Sequence, residues 1–182
     1  MLYEKERELA RLSLQKWVSD EVFTYQWFIL AGVLLLAYVV WLKLVDRSRG
    51  TELLLIGALE SVGKAIYIII VGNVFGLFDY TIRLMPIITN IFATSVTVSP
   101  IIIMLVHQYT SSWKGYLIWS AIGLGALNLI VFPIYVAIGA LQFHHGWNVF
   151  FHFLGAYLIA VCVRLVFLWI TGTQKRLTEQ AQ

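Results

Sequence analysis

The chain has 182 residues, of which 60% are hydrophobic and only 13% charged, with a formal net charge of +3. Soluble domains carry about 25% charged residues, so these proportions exclude an ordinary soluble domain, and so modest a charge gives nucleic-acid binding no basis. A helix that spans a bilayer needs about 20 mostly apolar residues, and the sequence holds long apolar stretches of that kind separated by short polar loops.

Residues 1–19 mix charge with Leu2, Leu9, Leu12 and Trp17, which fall on one helical face. Glu4 with Arg7 and Glu8 with Arg11 are spaced three apart, where opposite charges support a helix. The segment predicts an amphipathic helix lying on the membrane surface. It lacks the apolar run of a cleavable signal, so the first span is expected to act as the targeting signal. That span covers residues 23–44, with Asp20 as its expected N-cap. The second covers 52–74 and ends in Gly72 and Asn73, ahead of a turn-like GLFDY at 76–80. The third covers 84–107 and holds Pro86 and Pro100; the fourth covers 113–141 and holds Pro133. Proline inside a span removes a helical hydrogen bond and kinks it. The fifth covers 149–171, and a polar cytoplasmic tail follows at 173–182.

No alternating strand pattern of the barrel type is present, and backbone groups in lipid must be paired internally. The expected fold is therefore all-α: an integral membrane bundle of five transmembrane helices over residues 20–172, preceded by the amphipathic helix. Lys43, Arg47, Arg49, Lys114, Lys175 and Arg176 collect in the loops and tail of one side. Basic residues favour the cytoplasmic side, so the expected placement is in the plasma membrane, N-terminus outside and C-terminus inside. Trp41, Tyr109, Trp113, Tyr116 and Trp169 on one side, and Tyr25, Trp27, Tyr80 and Trp147 on the other, fit aromatic belts.

Charged side chains inside these spans are the main lead to function. Glu60, Lys64 and Arg164 lie within apolar runs, where an unpaired charge costs about 2.5–3.5 kcal/mol on insertion scales. At a rise of about 1.5 Å per residue, Glu60 and Arg164 each lie about 12 Å from the basic end of their helices. Lys64 follows Glu60 by four, the favourable helical order. Thr94, Ser95, Thr97 and Asn128 fall about 15–22 Å from the same side. Together these residues predict a polar seam in which Lys64, Arg164 or both compensate Glu60. Ala156, Ala160 and Arg164 recur every four residues, and small residues mark helix contacts, so Arg164 is expected to face the bundle. Gly125, Asn128 and Phe132 share a face in the same way. Cys162 has no intrachain disulfide partner, and a packing role is expected for it.

His144, His145 and His152 are close in sequence near the outer interface, as His107 is near the inner one. They are expected to make ordinary interfacial hydrogen bonds, since no carboxylate accompanies the outer three and their spacing matches no zinc pattern. The sequence has no phosphate-binding glycine loop, CxxC, HExxH or nucleophile elbow. No cofactor is implied and nothing argues for an enzyme.

WLKLVDRSRGTELLLIG at 41–57, GLFDYTIRLMP at 76–86, SPIIIMLVHQYTSSWKGYL at 99–117, and Gly146 with Trp147 carry a resemblance. By these stretches the chain resembles an uncharacterised family of small multi-pass membrane proteins from spore-forming Firmicutes. The resemblance implies a five-span inner-membrane protein and transfers no catalytic residue. The family pattern has an acid in the third span where Ser95 stands here, and a Glu-Pro in the fourth where Phe132 and Pro133 stand. If those acids matter, Glu60 and Lys64 are this chain's own substitute.

Two functions follow from the seam. The leading one is a non-enzymatic membrane protein whose seam is structural or part of an accessory or interaction subunit. The alternative is a small transporter or channel component that moves an ion, proton or small polar solute past Glu60, Lys64 and Arg164. Expected partners are the lipid bilayer and either a second copy of the chain or another membrane protein.

Overall fold

The computed structural model describes residues 2–84 and 94–180; the side chains of Leu2, Glu6, Thr94, Ser95 and residues 174–180 are outside the description. The helices are α1 (Leu2–Lys16), α2 (Tyr25–Leu44), α3 (Gly50–Tyr67), α4 (Thr94–Tyr109), α5 (Trp113–Ala126), α6 (Phe132–Ala137) and α7 (Val149–Gln180). A wider π-helical turn at Ile68–Val74 extends α3, and another at Leu127–Val131 joins α5 to α6. Four stretches are long and apolar enough to cross a membrane: Tyr25–Leu44, Arg47–Val74, Trp113–Ala137 and Val149–Thr173. Val96–Tyr109 is a shorter apolar helix. The first part of the third expected span, with Pro86, lies outside the described residues.

Several boundaries differ from expectation, each for a local reason. The first span starts at Tyr25, and its cap is Thr24, whose hydroxyl accepts from the Trp27 backbone N–H at 3.3 Å. Asp20 instead lies in a π-turn at Trp17–Glu21, after which Phe23 takes a φ of 62° and turns the chain. The fourth span ends at Ala137 because Gly139, with a φ of 74°, breaks the helix. The polar tail continues α7 as far as Gln180. Pro133 lies just past the π-turn, inside the continuous helical stretch Trp113–Ala137, where its missing N–H removes a helical bond beside the wider turn. Pro100 is inside α4.

The fold is not purely helical. β1 (Phe78–Tyr80) and β2 (Leu141–Phe143) pair antiparallel, with Phe78 opposite Phe143 and Tyr80 opposite Leu141. The strands alternate as a half-buried ribbon should: Phe78, Tyr80 and Leu141 point in, Asp79 and Gln142 out. Two chain reversals at the rim leave peptide groups outside any helix, and they pair with each other.

Helix packing defines a ring. α3 packs on α4, α4 on α5, α5 on α7 and α7 on α3, while α2 lies outside the ring against α4. The apolar core divides into two clusters. One, around Ile68, Phe78, Phe132 and Leu141, underlies the ribbon. The other, around Leu53, Ile103, Leu124 and Phe167, fills the opposite, basic end. There Gln108, in the last turn of α4, ties down the connection after α2, accepting from the Asp46 N–H at 2.8 Å and donating to the Leu44 carbonyl at 2.8 Å.

Candidate functional site: a polar axis inside the helix ring

Each helix of the ring carries buried residues at every fourth position. α3 presents Ile56, Glu60 and Lys64, and α4 presents Ser99, Ile103 and His107. α5 and its π-turn present Tyr116, Ser120, Leu124 and Asn128, and α7 presents His152, Ala156, Ala160 and Arg164. Residues four apart share a helical face, so four stripes line one interior. On α3 and α4 the boundary between the two apolar clusters falls at Glu60, Lys64 and Ser99.

At the basic end the axis is closed by a continuous network. Arg49 donates to both Glu52 oxygens, at 2.9 and 2.8 Å. The Glu52 Oε1 also meets His107 Nε2 at 2.7 Å. His107 Nδ1 in turn meets the Arg164 guanidinium, which lies over the Tyr116 ring at 4.9 Å. The Tyr116 hydroxyl donates to the Ala160 carbonyl at 2.9 Å. Arg164 thus faces the bundle, as expected, but its partner is His107 rather than Glu60. Equal depth along two helices does not give equal direction around them.

The middle of the axis is incompletely paired. Glu60 is 0% exposed, and its Oε1 accepts from the Ser99 hydroxyl at 2.9 Å. Its Oε2 has no hydrogen-bond partner among the described residues, and neither do the Ser120 hydroxyl, Asn128 Oδ1 or Arg164 Nε. Lys64 is 2% exposed and interacts electrostatically with Glu60; no ion pair joins the two among the described residues. Asn128 donates to the Leu124 carbonyl one turn back, at 2.7 Å.

At the ribbon end, His152 is enclosed by Phe78, Phe132 and Phe143, with ring centroids 4.7, 5.2 and 6.0 Å away. Its Nδ1 meets the Tyr67 hydroxyl at 3.1 Å, and Lys64 interacts with it electrostatically. His152 and His107 are therefore buried members of the axis, contrary to the interfacial expectation; His144 and His145 are exposed. Cys162 is also exposed, not packed. Among the described residues no three His, Cys, Asp or Glu side chains gather as a metal site requires.

The remaining seam residues separate. Thr97, two positions from Ser99 and so on the opposite side of α4, lines a cleft of about 560 Å³ with Tyr38, Trp41, Gly57, Ser61 and Met104. A second cleft, about 430 Å³, lies under α1 beside Lys16, Glu21, Asp79 and Arg83. Neither cleft is lined by Glu60, Lys64 or Arg164. The side chains of Thr94 and Ser95 lie outside the described residues. Beyond the expected seam, the axis takes in Ser99 and Ser120, together with His107, Tyr116 and His152, which were expected at the membrane interfaces. Their signal was the four-residue spacing, seen for Ala156, Ala160 and Arg164 but not followed one turn back to His152.

Outside the ring a second buried acid is fully engaged. Glu21 accepts from Arg83 three times: from its backbone N–H and Nε at 2.9 Å each, and from Nη2 at 2.6 Å. Arg83 also donates to the Ser13 hydroxyl at 2.7 Å and accepts from Trp17 Nε1 at 2.8 Å. This clamp fixes α1 to the segment after β1, and the Glu21 carboxylate raises the Arg83 pKa above its ordinary value. No protein-family model, curated protein or solved structure matches the chain.

Proposed function

We propose that the chain is an integral membrane protein that passes protons along the axis of its helix ring, with Glu60 as the central carrier. The observation that carries this reading is the Glu60 Oε2 without a partner among the described residues, in a carboxylate that is fully buried and has Lys64 one turn away. A seam that served only to lock helices together would be expected to complete its bonds, because a half-satisfied buried network is costlier than an apolar core. A carrier must instead leave a position open for the proton it exchanges.

The choice of proton over solute rests on packing and chemistry. Both clefts lie off the axis, with none of Glu60, Lys64 and Arg164 in their lining. Titratable side chains follow one another along the axis: Glu52, His107, Tyr116, Glu60, Lys64, His152 and Tyr67. Arg164 places positive charge there, which opposes a metal cation. From Glu52 to Tyr67 the α3 stripe covers about 22 Å at the rise of a helix, much of a hydrocarbon core about 30 Å thick.

Membership of the five-span family is part of the same proposal, as is an orientation with the N-terminus outside. In a Cys162-replaced background, an impermeant thiol reagent should label a cysteine at Gln142 but not one at Ser48 in intact cells; the reverse would refute that orientation. The function is tested in proteoliposomes with a valinomycin-set potassium potential and an internal pH dye. Wild-type vesicles should acidify or alkalinise with the potential, and Glu60→Gln should slow this by about a hundredfold, in the range of a lost proton-transfer group. Wild-type vesicles that hold their gradient would refute it.

A further inference from the structure

The basic-end network fixes the tautomer of a buried histidine. A guanidinium has five donors and no acceptor. His107 Nδ1 meets Arg164 Nη1, so Nδ1 must be the accepting atom of that contact. The ring proton is therefore on Nε2, from which it is donated to Glu52 Oε1 at 2.7 Å. The groups facing His107 are Glu52 on α3 with Arg49 just before it, and Arg164 with the Phe167 ring on α7, the latter 4.8 Å away edge-on. The imidazole is itself 3% exposed. Its free lone pair is occupied by a donor that a proton would displace.

We propose that His107 Nδ1 is the proton-accepting atom at the basic end of the axis, and that its protonation evicts Arg164 and sends it to Glu60. The inference rests on the proton-path reading. One proton is added at Nδ1, and the Arg164 Nη1–H to Nδ1 bond is lost. The imidazolium stays held through Nε2–H by Glu52, whose second oxygen remains with Arg49. The guanidinium keeps its charge throughout, so two cations now face each other and repel. Arg164 has a place to go. Among the described residues its Nε is an unpartnered donor and Glu60 Oε2 is an unpartnered acceptor. Tyr116 stands next to both: its ring lies against the guanidinium, and it interacts electrostatically with Glu60 and with Arg164. Arrival of Arg164 favours the ionised Glu60 carboxylate, so the carboxyl O–H bond breaks and its proton forms a new N–H bond on Lys64 Nζ, which takes part in this step as the neutral amine and becomes the ammonium. A proton taken up at His107 is thus coupled to a proton released at Glu60, with Arg164 as the moving charge.

The test uses full-length protein in nanodiscs with ¹⁵N-labelled histidine and arginine, titrated across neutral pH. At high pH the His107 resonance, identified by its loss in His107→Gln, should report the Nε2–H tautomer. On acidification its Nδ1 should protonate, and the Arg164 Nε resonance, identified by its loss in Arg164→Gln, should shift over the same interval. In His107→Gln the Arg164 shift should vanish. An Nδ1–H tautomer, or an Arg164 resonance indifferent to His107, would overturn the proposal. If His107→Gln does not fold, Glu52→Gln serves, because it must move the His107 and Arg164 transitions together; separate movement would overturn the coupling. In vesicles, His107→Gln should lose at least about tenfold in proton flux. Flux equal to wild type while Glu60→Gln is blocked would remove His107 from the path and leave the path standing. Wild-type vesicles that conduct no protons would overturn the path, and the nitrogen resonances would then decide the His107–Arg164 exchange alone.

Discussion

Glu21 and Glu60 are buried alike, 1% and 0% exposed, and their surroundings differ in kind. Glu21 spends both oxygens on a single arginine that also grips Ser13 and receives Trp17. Glu60 spends one oxygen on Ser99 and, among the described residues, leaves the other unpartnered, with a lysine one turn away that does not close on it. The first arrangement is a clamp, whose value lies in being complete. The second is a position held open. Burial alone therefore does not separate a structural acid from a working one; the completeness of its hydrogen bonds does.

Breaking the clamp should have the largest effect on stability. Glu21→Gln strands the Arg83 charge and should lower unfolding free energy by about 3 kcal/mol, read by denaturation in detergent. Flux per folded molecule should be unchanged. Gly155→Ala comes next. A Cβ there would meet Tyr67 Cε2 at 2.6 Å and its hydroxyl at 3.0 Å, and that ring is stacked on Phe78 and bonded to His152. The overpacking should cost about 2 kcal/mol and break the Tyr67–His152 contact. For Gly57→Ala the nearest atoms to the new Cβ belong to the flexible Met104 side chain, and its cost should stay below about 1 kcal/mol.

The axis should tolerate loss of charge better than the clamp does. Glu60→Gln combined with Lys64→Met removes two buried charges that share no direct bond, a change that is neutral or stabilising by about 1–4 kcal/mol in comparable cases. The matching double change at Glu21 and Arg83 should still destabilise, because Arg83 also holds Ser13. A destabilised Glu60/Lys64 double variant would make the axis a structural seam after all. The smallest effect belongs to the outer face of α7: Cys162→Ala should stay within about 0.5 kcal/mol of wild type.

Much of this was legible in one dimension. Charges inside apolar runs marked α3 and α7, and the small residues at Ala156 and Ala160 gave the direction of Arg164. The pairing of Arg164 was not legible, because helix rise fixes depth while rotation about the axis depends on packing against neighbours. His107 reads as interfacial from its position near a helix end; only the approach of α7 buries it. The ribbon escaped because each strand has three residues, too few for an alternation to register. Thr24 was passed over for Asp20 because both are good caps, and only the turn at Phe23 decides between them. Thr97 fell out of the seam since depth ranked it beside Ser99, whereas two positions on a helix point it away.

The central claim is that the Glu60 carboxyl exchanges a proton inside the ring. Infrared difference spectra of the protein in nanodiscs, taken between acidic and alkaline buffer, follow protonated carboxyl groups directly through their carbonyl stretch. A buried-carboxyl band that appears and disappears reversibly with pH, persists in Glu21→Gln and is absent from Glu60→Gln is the predicted result. A spectrum with no pH-dependent band that depends on Glu60 would contradict the account.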